Sequence, residues 1–364
     1  MKVKDWFDRR LEELALAEGY PLPWAGAGSD GIHPRGKLDA NENSYLPETL
    51  MASLMDEVAR EVDPRFYPAA DYAALVSALA ATTGFPEDHI LLGSGADQLI
   101  AFLCDVFLGP TTTAVSVTPT YSFYRIRSRL TGARFIEVPL RPDFSLDVER
   151  MRKELAAPAA RLLFLCSPNN PTGNSLARRD VEQLIADRSA LVVVDEAYVE
   201  YAEESLADLV REYDNVVILR TMSKAWGLAG MRLGYMIGRP RLIRVFAEKV
   251  QYPYPLNAFA LRLAVKLLAQ PAIVRGAVDA LKAERERLRH RLLQLGLTVF
   301  PSQTNFLLLA AGDGAEGILS ALADRGIRIK LVGDVLGWSG CLRITVGVPE
   351  VNDLVVETLR ECLR

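Results

Sequence analysis

Between residues 113 and 237, short apolar runs alternate with stretches in which apolar residues return every three or four positions. The runs at 113–117, 134–138, 162–166, 191–195, 216–220 and 233–237 predict strands. The periodic stretches at 121–130, 146–155, 179–187 and 205–212 predict helices between them. Leu191-Val192-Val193-Val194 is apolar at every position, so both faces of its strand must be covered. Right-handed crossovers then give a three-layer α/β/α domain built on a mostly parallel sheet.

Past residue 240 the rhythm changes. Residues 244–270 and 272–295 read as two long helices divided at Pro271. Shorter patterns come next: strands at 306–309, 327–330 and 342–346, a helix at 316–325, and a last helix from about Glu350. That is a small α+β unit. The expected division is residues 1–45, an N-terminal helix (about 3–17) and lid segment packing on the small domain; 46–279, the large domain; and 280–364, the small C-terminal domain.

The chain has 364 residues, half of them hydrophobic, which suits a large buried core. Acidic residues number 46 against 42 basic, so no basic excess points to nucleic acid. Residues 1–6 form no apolar signal core, and no apolar run reaches membrane-spanning length, so a cytoplasmic, non-membrane protein is expected. The four cysteines and three histidines are scattered, which argues against a clustered zinc site and a disulfide framework; no metal is expected.

In open parallel sheets, ligands bind past the strand ends, so polar residues there carry the chemistry. Leu91-Leu92-Gly93-Ser94-Gly95-Ala96-Asp97-Gln98 opens a helix, either as an ordinary glycine turn or as bare amides facing an anion. Tyr121 comes just after a strand and suits packing or stacking on a flat ring. Ser167-Pro168-Asn169-Asn170-Pro171-Thr172-Gly173 is a rigid polar turn that presents Asn170. Asp195 ends the most apolar strand and needs a positive partner, a protonated heterocycle nitrogen or a neighbouring Arg.

Lys224 is the sharpest signal. Among nine lysines it alone sits just past a long apolar strand, in Thr221-Met222-Ser223-Lys224-Ala225-Trp226-Gly227. An amine held there can form a Schiff base with a carbonyl. Thr221, Ser223 and Arg232 can join the Gly95-Ala96-Asp97 amides as a phosphate cradle. A Schiff-base lysine, a pyridinium partner, a stacking aromatic and a phosphate cradle are together what pyridoxal phosphate requires.

With these segments the chain resembles the fold-type I, pyridoxal-phosphate-dependent aminotransferases of class I/II. It is most similar to the histidinol-phosphate aminotransferases. The resemblance also rests on Leu38-Asp39-Ala40-Asn41-Glu42-Asn43, Arg65-Phe66-Tyr67-Pro68, Asp195-Glu196-Ala197-Tyr198, Gly230-Met231-Arg232, Asn305-Phe306 and Leu342-Arg343-Ile344-Thr345-Val346-Gly347. It implies the PLP-transferase fold and a role for each matching residue. Lys224 would anchor the cofactor and shuttle the proton, and Asp195 would keep the ring nitrogen protonated. Asn170 and Tyr198 would hold the ring's phenolic oxygen, and Tyr121 would stack on the ring. Gly95, Ala96, Asp97, Thr221, Ser223 and Arg232 would bind the phosphate. Tyr67 would reach the neighbouring subunit's cofactor, which implies a homodimer. Arg343 would take the substrate carboxylate, and Tyr45 would line the pocket. The implied reaction is histidinol phosphate plus 2-oxoglutarate to imidazole-acetol phosphate plus glutamate. The alternatives are an aromatic aminotransferase, a threonine-phosphate decarboxylase, or a cyclase or oxidase of a specialised pathway.

Two departures from the family pattern stand out. Ser44 replaces the proline that usually precedes Tyr45. Lys330 stands where family members carry an arginine that helps hold the substrate's distal phosphate, and it offers a point charge instead of a fork. Arg328, two residues earlier, points the same way on a regular strand.

Overall fold

The computed structural model describes residues 3–20 and 35–363. Its strands are β1 (Gly36–Lys37), β2 (Ile90–Ser94), β3 (Thr113–Thr118), β4 (Arg134–Pro139), β5 (Ala160–Cys166), β6 (Leu191–Asp195), β7 (Val216–Thr221), β8 (Leu233–Ile237), β9 (Thr298–Val299), β10 (Phe306–Ala310), β11 (Ile327–Arg328), β12 (Lys330–Val335) and β13 (Trp338–Thr345).

Seven strands form one sheet in the order β2-β8-β7-β6-β5-β3-β4. Only β8 runs against its neighbours. Successive residues on a strand feed opposite faces. Leu163, Leu165, Val192, Val194, Val216 and Ile218 pack into one core, while Leu162, Phe164, Val193, Val217 and Leu219 pack into another. Two covered faces explain why these strands read as unbroken apolar runs. Ser94, Thr118, Cys166, Asp195 and Thr221 all finish at one edge of the sheet, and antiparallel β8 starts there.

The C-terminal part holds a second sheet, β12-β13-β10-β9, antiparallel throughout. A third core, with Leu307, Leu309, Leu342, Ile344 and Val355, lies behind it. The helix Pro271–Leu293 joins the two regions. Val274, Val278 and Leu281 pack in the large core, and Leu288 and Leu292 pack in the small one.

Several expectations need correction. Residues 244–270 do not form one helix. Helical structure ends at Val250 and restarts at Ala258, because Pro253 and Pro255 remove amide donors and Tyr254 is turned to φ +52°. The segment at 205–212 yields only the turn of helix Leu209–Glu212. The residues before Gly95 are strand β2, held antiparallel to β8, instead of a lead-in to the helix. The expected strand 327–330 splits at Ile329: β11 pairs with β1, and β12 pairs with β13.

The described part of the N-terminal segment meets both regions. The helix Val3–Leu16 forms, and the residues just after it meet the large domain. Glu18 pairs with Arg125 and Arg129 of the large-domain helix Phe123–Leu130, and the Tyr20 ring lies 6.2 Å from that of Tyr121. Opposite charge decides the docking site, with Arg125 also held by Glu137. Residues 35–45 do reach the small domain, through β1 on β11 and Asn41 on Thr345. The part of the expected lid at 21–34 lies outside the described residues.

Candidate active site

The strand ends gather the residues singled out above. Lys224 sits in a tight turn after β7. The turn is closed by backbone bonds from Gly227 to Lys224 and from Leu228 to Met222. Asn43 donates to the Ala225 carbonyl and Trp226 donates to half-buried Glu200, each fixing the turn from a different side. Lys224 Nζ donates to the Ala40 carbonyl at 2.9 Å and lies 5.9 Å from the Tyr198 ring centroid. Burial, aided by the charge of Arg343, lowers its pKa to about 8. An amine in that range is a usable base and nucleophile near neutral pH.

Asp195 is 4% exposed at the end of β6. Its Oδ1 accepts from the Ala197 amide at 3.0 Å, and its Oδ2 accepts from the Tyr124 hydroxyl at 2.6 Å. Burial pushes its pKa up to about 6 against the lowering effect of those bonds. Tyr198 is buried beside it, which raises the phenol's pKa. Its oxygen accepts from Asn41 Nδ2 at 2.8 Å, leaving the phenol's own proton to point elsewhere.

The anion cradle also assembles. Gly95 begins the helix Gly95–Phe107 at φ +73°, and its amide donates to the Arg232 carbonyl. A Cβ at Gly95 would stand 2.7 Å from the Arg232 guanidinium, and one at Gly234 would stand 2.5 Å from the Ala96 amide nitrogen. Only glycine allows both approaches. Thr221 donates to Ser223 at 2.9 Å, and both are buried. Arg232, itself at φ +53°, pairs with Asp97, whose other oxygen accepts from Tyr121 at 3.0 Å. Tyr121 is thereby tied to the cradle, beside a cavity of about 250 Å³ that Thr118, Pro119 and Pro171 also line.

The small sheet closes the site. Arg343, on β13, donates to Asn170 Oδ1 at 2.7 Å and to the Asp39 carbonyl at 2.5 Å. Its Nε is buried with no acceptor among the described residues. Lys330 is exposed directly across the ladder from Arg343, and burial alternates through Ile327, Arg328, Ile329 and Lys330, so both cations face outward. Tyr45 donates to the Gly347 carbonyl at 2.8 Å. Tyr67 stands apart, 76% exposed and stacked on Tyr254 at 4.2 Å.

This arrangement agrees with the comparison with known proteins. The profile for aminotransferase class I and II matches residues 36–359. The chain belongs to the class I and II aminotransferases. A histidinol-phosphate aminotransferase of Roseiflexus castenholzii is 39% identical over 89% of this chain and 89% of its own length. A second, from Burkholderia pseudomallei, is 38% identical over 97% of this chain and 98% of its own. The crystal structure of histidinol-phosphate aminotransferase from Sinorhizobium meliloti, in complex with pyridoxal-5'-phosphate, superposes with a TM-score of 0.83. It covers 92% of each chain at 26% identity.

Two site residues of this aminotransferase escaped sequence reasoning. Tyr124 reads as ordinary helix core three residues after Tyr121, yet its hydroxyl is the closest partner of Asp195. Asn41 is held at φ +55° by Thr345 and Asn305, and it supplies the donor to Tyr198. The only sequence signal was its place in the Asp39-Ala40-Asn41-Glu42-Asn43 run. The donor set as a whole suits a flat, phosphorylated heterocycle: hydroxyls, amides and Arg232 for the anion, a buried carboxylate for a ring N–H, and a phenol and an amide for a ring oxygen.

Proposed function

We propose that this aminotransferase uses pyridoxal phosphate to transfer the amino group of histidinol phosphate to 2-oxoglutarate, giving imidazole-acetol phosphate and glutamate. The observation that carries the reading is Lys224: a partly buried amine with a lowered pKa, between Tyr198, Arg343 and the anion cradle. The two relatives named above support the substrate.

Pyridoxal phosphate, when bound, supplies an aldehyde that links to amines and a cationic ring that withdraws electrons from the substrate's α-carbon. The chain's residues do the rest. The Ala96 and Asp97 amides, the Thr221 and Ser223 hydroxyls and Arg232 would hold the phosphate, while Gly95, its own amide taken by the Arg232 carbonyl, shapes the turn. Asp195 would accept the ring N–H, Tyr121 would cover the ring face, and Asn170 and Tyr198 would donate to the ring oxygen. Arg343 binds the α-carboxylate of glutamate or 2-oxoglutarate beside Asn170. Lys224 Nζ would take up the α-proton and hold it for return to the reacting system. Lys330, on the same face as Arg343, attracts the distal phosphate, and Tyr45 walls the pocket.

A homodimer is part of the proposal. Tyr67 and Tyr254 stack as an exposed aromatic pair, with Phe66 and Tyr252 exposed close to them in the chain, and Tyr67 would serve the partner's site. We also propose the division at 45/46 and 279/280, with the second boundary inside the connecting helix. A cytoplasmic setting is supported by the four unpaired cysteines. Among the described residues no helix is long and apolar enough to cross a membrane.

The test is a half-reaction. Purified enzyme is given L-histidinol phosphate, L-phenylalanine or O-phospho-L-threonine separately, and its visible spectrum is followed. Conversion of the aldehyde form to the amine form by histidinol phosphate, reversed by 2-oxoglutarate, is expected. A response confined to phenylalanine would move the substrate, and carbon dioxide release from phosphothreonine would replace the reaction.

A further inference from the structure

Asp195 is held from two directions. The Ala197 amide, on its own turn, takes Oδ1 at 3.0 Å. The Tyr124 hydroxyl, from the helix Phe123–Leu130, takes Oδ2 at 2.6 Å. Tyr124 is fully buried, and its ring stacks on Phe164 at 4.9 Å with only 5° between planes. Phe164 lies on β5, the neighbour of β6, so the phenol is delivered to Asp195 by a rigid stack. A phenol spends its one proton on one acceptor. Here that acceptor is a carboxylate with few other ways to satisfy its charge.

We propose that Tyr124 is a positioning residue of this aminotransferase, its hydroxyl keeping the Asp195 carboxylate ionised and aimed at the cofactor's ring nitrogen. The inference rests on the reading of Asp195 given above. Burial alone pushes the Asp195 carboxyl toward its neutral form. A hydrogen bond to the charged form opposes this, and the opposition is strongest in a dry site. The titratable groups facing Asp195 are Tyr124 and Tyr121 from one helix and its lead-in, Cys166 from β5, Tyr198 and Glu196 from its own loop, and Asp97 across the cradle. Arg232, a cation beside this group, is paired with Asp97, so the two hydrogen bonds are the direct support of the carboxylate until a ring N–H arrives. Asp195 and the ring nitrogen then titrate as a pair.

The experiment uses the loaded enzyme as wild type, Tyr124→Phe, Asp195→Asn and the double variant. Phenylalanine keeps the ring and its stack on Phe164, so the fold is retained. With Tyr124→Phe the acid limb of the pH–rate profile moves up by about one to two pH units. Most of the rate returns near pH ~9, where the carboxyl is ionised again. Equilibrium dialysis at neutral pH shows pyridoxal phosphate bound about tenfold more weakly. In the Asp195→Asn background, removing the hydroxyl changes either quantity by less than about twofold. A fluorinated tyrosine at 124, a stronger donor of the same shape, moves the acid limb the other way. A loss equal at every pH, or losses that multiply in the double variant, would overturn the proposal. Normal rate and cofactor affinity in Asp195→Asn alone would overturn the reading of Asp195, and this proposal with it.

Discussion

Lys330 stands directly opposite Arg343 in the antiparallel ladder of the small sheet, so both cations project from one face. Arg343 is anchored to Asn170 and the Asp39 carbonyl, while Lys330 is exposed and movable. Histidinol phosphate and glutamate both present anions that suit that pair. Lys330→Ala is expected to raise KM for histidinol phosphate about tenfold and to leave KM for an unphosphorylated monocarboxylic amino acid within about twofold. Steady-state kinetics with both substrates check it. Equal rises for both would remove Lys330 from phosphate recognition and turn attention to Arg328.

Arg343 joins the small sheet to the Asn170 turn of the large one, and its buried Nε awaits an acceptor. Arg343→Lys keeps the charge and loses the fork. The expected result is a KM for glutamate raised about ten- to a hundredfold, with the urea midpoint little changed. An unchanged KM would place the α-carboxylate elsewhere.

The lowered pKa of Lys224 sets how fast the cofactor-free protein takes up pyridoxal phosphate. Below about 8 the amine is protonated and unreactive; above it the amine is neutral. The rate of Schiff-base formation, monitored by stopped-flow absorbance, is expected to rise with pH to a plateau with a midpoint near that value. A midpoint near an ordinary lysine's, above about 10, would mean that burial does not act on this amine.

Asn352 grips Gly347 from both sides, accepting from its amide at 3.0 Å and donating to its carbonyl at 2.7 Å, with a second donation to Glu284. The same Gly347 carbonyl accepts from Tyr45. This knot ties the C-terminal helix Pro349–Cys362, the exit of β13 and the pocket wall together. Asn352 is completely buried, so Asn352→Ala leaves several groups unpaired. The expected loss is about 2–4 kcal/mol of unfolding free energy by urea denaturation. A loss under about 0.5 kcal/mol would show that water replaces the amide freely.

Much of this was legible in the sequence because the sheet is covered on both faces. Unbroken apolar runs ending in Asp195 or just before Lys224 can only deliver those residues to a sheet edge. The phosphate cradle was legible for the same reason, although β2, short and carrying Gly93, was not seen as a strand. Tyr124 was illegible because the same helical spacing serves core packing, and only the third dimension sets its hydroxyl on Asp195. Asn41 was illegible because partners some 264 and 304 residues away hold its backbone. Pro253 and Pro255 break the helix at 251–257 although the apolar periodicity runs on through them. The docking of Glu18 on Arg125 depends on a charge match between segments far apart in the chain.

The proposed chemistry requires Lys224 as the covalent anchor of the resting cofactor and, once freed by the substrate, as the proton carrier. Borohydride reduction of the loaded enzyme and peptide mass mapping test it most directly. The predicted result is one pyridoxyl group per chain, on the peptide that contains Lys224, and none in Lys224→Ala of unchanged fold. Label on another lysine, or no label on a protein that binds pyridoxal phosphate, would contradict the account.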